Sequence, residues 1–206
     1  MDKGSVLSIL AAMNRRMQEE KEFLTDLDNA IADGDHGINM ARGFAAVEEK
    51  LPQLADRDLG TVFRTVGMTL LSVVAGSAGP LYGTAFIKAG AVMADRSEMT
   101  LPDLLTCLSE AIGGIMMRGR AVQGEKTMLD AMIPALDAMK QAHAAGDPAH
   151  DVLAAGVAAA RDGVEYTKTI IATKGRASYI GERSLGHQDP GATSFTDLLE
   201  VVADAV

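Results

Sequence analysis

Apolar residues recur along the chain at three- and four-residue steps, the pattern of helices that bury one face. Leu10, Met13 and Met17 form a first stripe, and Met40, Phe44, Val47 and Leu51 a second. Leu59, Val62, Phe63, Val66, Leu70 and Val73 make a third, continued more weakly beyond a Gly-Pro break by Phe86, Ala89 and Met93. Leu101, Leu104, Leu105, Leu108, Ile112, Ile115 and Met116 give the clearest stripe, followed by Met128, Met132, Ile133, Leu136 and Met139. A long seventh runs through Leu153, Val157, Ala160 and Val164 to Ile171, and Phe195, Leu198, Leu199 and Val202 close the chain. No stretch alternates with period two for long enough to predict a strand. The spacing predicts an all-α chain of about eight helices with short connections, an antiparallel up-and-down barrel or bundle. Residues 1–206 show no linker, repeat or low-complexity tract, which predicts a single domain.

The ends of the stripes carry helix signals. Asp58 stands just before one, and Thr100-Leu101-Pro102-Asp103 combines a capping residue with proline in the first turn. Thr65 to Ile87 holds no charge but is broken by Gly76, Gly79, Pro80 and Gly83, which predicts two buried helices joined by a small-residue turn and not a membrane span. The net charge of -9 and an aromatic content of 4% with no Trp exclude a basic, base-stacking nucleic-acid surface. A single cysteine, Cys107, excludes an internal disulfide and fits a reducing compartment. No signal peptide is visible at the N-terminus, so the expected location is the cytoplasm. The 21 glycines are many for a helical chain, and the expectation is that they sit mostly at the joints.

Four joints carry candidate chemistry. In Asp28-Asn29-Ala30-Ile31-Ala32-Asp33-Gly34-Asp35-His36-Gly37-Ile38-Asn39, three carboxylates are interleaved with glycines just before a helix. Carboxylates this close repel unless solvated or sharing a cation, and such hard oxygen donors suit Mg²⁺ or Ca²⁺. The helix start beside them offers N–H groups to a phosphate. The competing reading is a solvated acidic turn whose aspartates cap the next helix. An EF-hand fails: with Asp33 as position one, the glycine position is Ile38 and the terminal glutamate position is Phe44. A second joint, Ala75 to Pro80, permits close approach of a ligand or of another backbone. A third, Arg118 to Met128, brings three cations around glycines. A fourth, Lys174 to Tyr179 with Gly186 to Ser194, adds Arg176 and the helix-opening turn Asp189-Pro190-Gly191.

Asp28…Asp33-Gly34-Asp35-His36-Gly37, Ser77-Ala78-Gly79-Pro80-Leu81-Tyr82-Gly83-Thr84, Gly124-Glu125-Lys126-Thr127-Met128, and Lys174-Gly175-Arg176-Ala177-Ser178-Tyr179 with His187-Gln188-Asp189-Pro190-Gly191 occur in this order across nearly the whole chain. Together they resemble the nucleotide-binding L subunits of dihydroxyacetone kinases. The resemblance implies an eight-helix antiparallel barrel. It implies that Asp28, Asp33 and Asp35 bind two Mg²⁺ ions bridging the phosphates of ADP or ATP. It also implies nucleotide contacts from His36, Gly37, Ile38, Asn39, Ser77, Ala78, Gly119, Met128, Arg176, Asp189, Pro190 and Gly191. Two departures stand out: the family often has a hydroxyl where this chain has Ala78, and Asp where it has Glu125.

The family resemblance further implies partners: a K subunit that holds dihydroxyacetone covalently on a histidine, and a phosphohistidine carrier that rephosphorylates bound ADP. An ATP-dependent two-chain kinase for another short ketose or tetrose is the competing enzyme. A nucleotide-state sensor that binds a transcription regulator is the non-enzymatic reading, and a homodimer stays open. A carrier role for His36 itself would predict a stable phosphohistidine without nucleotide.

Overall fold

The computed structural model describes all 206 residues. It contains α1 (Lys3–Glu19), α2 (Lys21–Ile31), α3 (His36–Glu48), α4 (Leu59–Val73), α5 (Ala78–Val92), α6 (Leu101–Gly119), α7 (Leu129–Ala145), α8 (Ala149–Thr167) and α9 (Pro190–Ala203). Two 3₁₀ segments, Leu51–Leu54 and Arg176–Ser184, complete the set, and the all-α class follows. The helices number nine, one more than the stripes, because α2 buries only Leu24, Asp28 and Ile31. A carboxylate occupies the middle of that face, so the apolar period is broken where the helix exists.

Local chemistry sets the boundaries. Asp58 accepts the Thr61 amide to start α4, and Thr100 and Asp103 form a reciprocal capping box on α6. Asp189 caps α9 through the Ala192 amide, with Pro190 in the first turn. The seventh stripe was expected to reach Ile171, but α8 stops at Thr167, whose carbonyl is taken by the Lys126 ammonium. Ile171 lies in the following loop and is exposed.

The chain divides into two compact units: Met1–Gln18 with Asn39–Arg120, and Glu19–Ile38 with Ala121–Val206. In the first, α5 packs on α4 and on α6. The ring of Phe86 meets Phe44 edge-on at 6.4 Å and Phe63 at 6.2 Å. The α4–α5 contact is made by backbone. Gly60 faces the carbonyl of Gly90, and Gly67 faces that of Gly83, so a Cβ at any of the four would meet main chain at under 3.0 Å. Seven residues separate the glycines on each helix, two turns of one face. Many of the glycines therefore lie inside helices, against the expectation that they mark joints: close helix packing requires them there. In the second unit, α9 packs on α7, α8 and α2, and α7 packs along α8.

Candidate metal and nucleotide site

The second unit holds the acidic turn. Its geometry begins with α2, which ends at Ile31 as the Ala32 amide donates to the Asp28 carbonyl at 2.6 Å. Gly34 then takes φ +71°, a conformation that suits glycine, and a Cβ there would collide with the Asn29 side chain. The reversal brings Asp33 and Asp35 back to Asp28, so that one oxygen from each carboxylate lies within 4.8 Å of the others. Asp28 Oδ2 accepts the amides of Asp35 at 2.9 Å and His36 at 3.2 Å, fixing the start of α3. The two sequence readings of this turn are thus compatible: Asp28 caps the helix and also joins the carboxylate cluster. Gly37 is required by packing, since a Cβ would meet the Lys21 carbonyl and the Thr25 amide.

Burial pushes the Asp28 carboxyl above the usual range, with Asp33 and Asp35 adding to the shift and the two amide bonds opposing it. Three converging carboxylates, one buried, form a hard-oxygen donor set that fits a divalent cation of the Mg²⁺ type. Arg176, expected from sequence to contact phosphate, lies in an ion pair with Asp33. It therefore stands at the edge of this cluster.

His36 Nε2 lies 2.9 Å from Ser194 Oγ, and the Ser194 hydroxyl donates to the Gly191 carbonyl at 3.2 Å. Desolvation pushes the imidazole down to about 4, so it is neutral at pH 7. Gly191 is adjacent to the buried Met128: a Cβ on Gly191 would sit 3.5 Å from Met128 Cβ. The fold thus gathers Asp28, Asp33, Asp35, His36, Gly37, Ile38, Met128, Arg176 and Asp189 to Gly191 into one unit. Enclosure, with Asp130 and Asp28 nearby, pushes the Asp189 carboxyl up to about 7, against the pull of the Ala192 amide and Lys126.

Asn39, Ser77, Ala78 and Gly119 belong to the first unit. Asn39 is buried and accepts from Arg42 Nη2 at 2.7 Å. Ser77 is exposed, and its hydroxyl makes no capping bond at the start of α5. Gly119 ends α6 and is exposed.

One cluster escaped sequence reasoning. In sequence Lys126 stands with Arg118 and Arg120 as one of three cations around glycines, yet it is 1% exposed. Its ammonium donates to the carbonyls of Thr167 and His187, and to that of Ile170 at 3.3 Å. Asp130, also buried, accepts the amides of Gly124 and, at 2.8 Å, Thr127. Glu125, the other departure, accepts the Val122 amide at 2.8 Å, and its carbonyl accepts the Thr173 amide at 3.3 Å. Nothing in a lone turn lysine or a helix-start aspartate distinguishes such a cluster from solvated charge.

Comparison with known proteins gives the family. The DAK2 domain matches residues 30–204. The chain is 45% identical to the ADP-binding subunit DhaL of the PEP-dependent dihydroxyacetone kinase of Escherichia coli K12, over 98% of this chain and 97% of that one. It is 29% identical to the L-erythrulose 1-kinase of Mycolicibacterium smegmatis, spanning 97% of this chain but 35% of that protein. A solved dihydroxyacetone kinase from C. freundii, in complex with AMP-PNP and Mg²⁺, superimposes with TM-score 0.75 at 25% identity, covering all of this chain and 34% of that one. No helix is long and apolar enough to cross a membrane. The chain belongs to the DAK2 domain family, alongside the ADP-binding subunits of the PEP-dependent dihydroxyacetone kinases.

Proposed function

We propose that the chain is the nucleotide-binding phosphotransfer subunit of a PEP-dependent dihydroxyacetone kinase, working in the cytoplasm. The observation that carries this reading is the carboxylate cluster of Asp28, Asp33 and Asp35, found in a chain 45% identical to such a subunit over nearly its whole length. In the overall reaction, a phosphohistidine carrier transfers its phosphoryl group to bound ADP. The resulting ATP gives its γ-phosphoryl group to a hydroxyl of dihydroxyacetone held on a separate K subunit, which regenerates ADP.

Phosphoryl transfer depends on alignment and on neutralising charge. Asp28, Asp33 and Asp35 would hold two Mg²⁺ ions, which supply the positive charge that lets an acidic protein accept polyphosphate. Asp28 takes the His36 amide, and the amides that follow it in the first turn of α3 offer their dipoles to a phosphate. Arg176, ion-paired with Asp33 at the edge of the cluster, is the guanidinium proposed to meet a phosphoryl oxygen. The neutral His36 ring and Ser194 fix the start of α3 to that of α9 without adding charge. Met128 and Asp189 to Gly191 form the wall proposed to receive the nucleoside. Contacts from Asn39, Ser77, Ala78 and Gly119 are assigned on their match to the family's motifs, with Ser77 or the Ala78 amide serving where others have a hydroxyl.

The test is mass analysis of ligand on the purified protein, then mixing with K subunit and phosphocarrier. ADP should survive gel filtration and be refilled by the carrier. Rapid exchange with free ATP, and turnover without carrier, would transfer the assignment to the ATP-dependent kinases. Asp33→Asn should lower Mg²⁺-dependent ADP retention by at least about tenfold, the loss of one charge-assisted ligand. Its far-UV circular dichroism should be unchanged. Undiminished retention would refute the metal role.

A further inference from the structure

We propose that Lys126 is a positioning residue for the nucleotide pocket: its buried ammonium acts as a fixed internal cation that holds His187 to Gly191 in binding geometry. The inference rests on the assignment of Met128 and Asp189 to Gly191 to the nucleotide.

An ammonium has three N–H donors, and Lys126 directs them to three carbonyls, two in the stretch that closes α8 and one in the loop before α9. Thr167 lies at the end of α8, Ile170 in the loop after it, and His187 in the loop before α9. The turn that carries Lys126 is fixed in its own right. Lys126 adopts φ +61°, and the buried Asp130 receives the amides of Gly124 and Thr127 on either side of it. Met128, two residues on, is placed by the same turn. Thr167 adds a second tie, as its hydroxyl accepts the Asp189 amide at 2.9 Å and donates to the Val164 carbonyl at 2.6 Å.

Apolar packing does little to hold the loop that this cluster fixes. Leu185, Gly186 and His187 are exposed, and Gln188 is only half-buried. The Gly186 amide is tied to the Lys168 carbonyl at 2.8 Å, and beyond it His187 and Asp189 are held by the bonds to Lys126 and Thr167. Once they are removed, the loop regains conformational freedom, and nucleotide binding must restrict it again. The lesion should appear in nucleotide affinity and leave the carboxylate turn intact, because none of the Lys126 bonds reaches Asp28, Asp33 or Asp35.

The experiment compares the full chain with Lys126→Met and Thr167→Val. It measures ADP by calorimetry in saturating Mg²⁺, Mn²⁺ binding without nucleotide by electron paramagnetic resonance, and amide exchange at residues 185–191. Lys126→Met should weaken ADP by about tenfold or more and Thr167→Val by about threefold. Mn²⁺ affinity should stay within about twofold, and exchange should accelerate at 185–191. If Lys126→Met does not fold, Lys126→Gln, which keeps an amide donor at the same position, is measured in its place. Unchanged ADP affinity in the folded variants overturns the proposal, as does an equal loss of Mn²⁺ binding. A wild-type chain that binds Mn²⁺ but not ADP overturns the functional reading, and this proposal with it.

Discussion

Replacing Gly67 by alanine separates two effects that usually act together. In a helix interior, alanine is favoured over glycine by about 1 kcal/mol, so propensity alone predicts stabilisation. At position 67 the new Cβ would stand 2.7 Å from the Gly83 carbonyl oxygen and 2.8 Å from the Ile87 amide nitrogen. The shorter of these is about 0.7 Å inside ordinary contact at 3.4 Å. Both obstacles are main chain, so no side chain can turn away and the helices themselves must part. Overpacking of this kind costs about 1–3 kcal/mol, with a backbone-to-backbone clash toward the upper end. After the propensity gain, about 1–2 kcal/mol of destabilisation should remain, a melting point lower by about 2–8 °C for a chain of this length. Gly113→Ala is the matched control: it also lies inside a helix, α6, but nothing is within 4 Å of its Cβ. That substitution should stabilise by about 0.5–1 kcal/mol. Urea unfolding followed by far-UV circular dichroism gives both values, read as midpoint shifts at constant slope. Stabilisation by Gly67→Ala comparable to that by Gly113→Ala would refute the account of the α4–α5 contact.

Three further outcomes follow from the second unit and from Cys107. The Asp189 carboxyl sits at about 7 when folded against an ordinary value near 3.8, so the native state binds its proton more tightly. That contribution is fully present below about pH 4 and is lost as pH rises toward 7, so Asp189→Asn, itself a good cap, should flatten this part of the urea-midpoint profile in metal-free buffer. An unaltered profile would exclude the shift. Burial pushes the Cys107 thiol up to about 12, so iodoacetamide should label it only after unfolding; rapid labelling of the native chain would contradict its enclosure. Arg176→Ala removes a half-exposed ion pair and should change stability by less than about 1 kcal/mol. Its ADP affinity in Mg²⁺ should nonetheless fall several-fold, and calorimetry showing no change would remove Arg176 from the site.

Periodicity revealed most helices because each buries an apolar stripe of the expected spacing. It failed at α2, where Asp28 takes the central buried position for capping and charge convergence. It overran at α8, where a buried lysine captures the carbonyls that would have continued the helix. Both departures are tertiary events at the candidate site, where local preference yields to polar bonding. The acidic turn was legible because three carboxylates and Gly34 lie within a few residues of one another. The Lys126 cluster was not, because its partners stand 41, 44 and 61 residues away. The glycines misled for a related reason: a glycine that admits a neighbouring backbone looks in sequence like one that makes a turn.

The unit that holds the acidic turn is assembled from residues 19–38 and 121–206. During synthesis its first piece therefore emerges long before the second. At about 5–20 residues per second, the turn at Asp28 to Asp35 waits roughly 7–30 s for Arg176, and slightly longer for Ser194. Over that interval three aspartates stand without the cation and helix that later surround them, so the nascent chain completes its first unit before its second. Truncation at the C-terminus should accordingly disrupt a carboxylate turn encoded near the N-terminus, and the proposed nucleotide pocket is incomplete until the last helix is made.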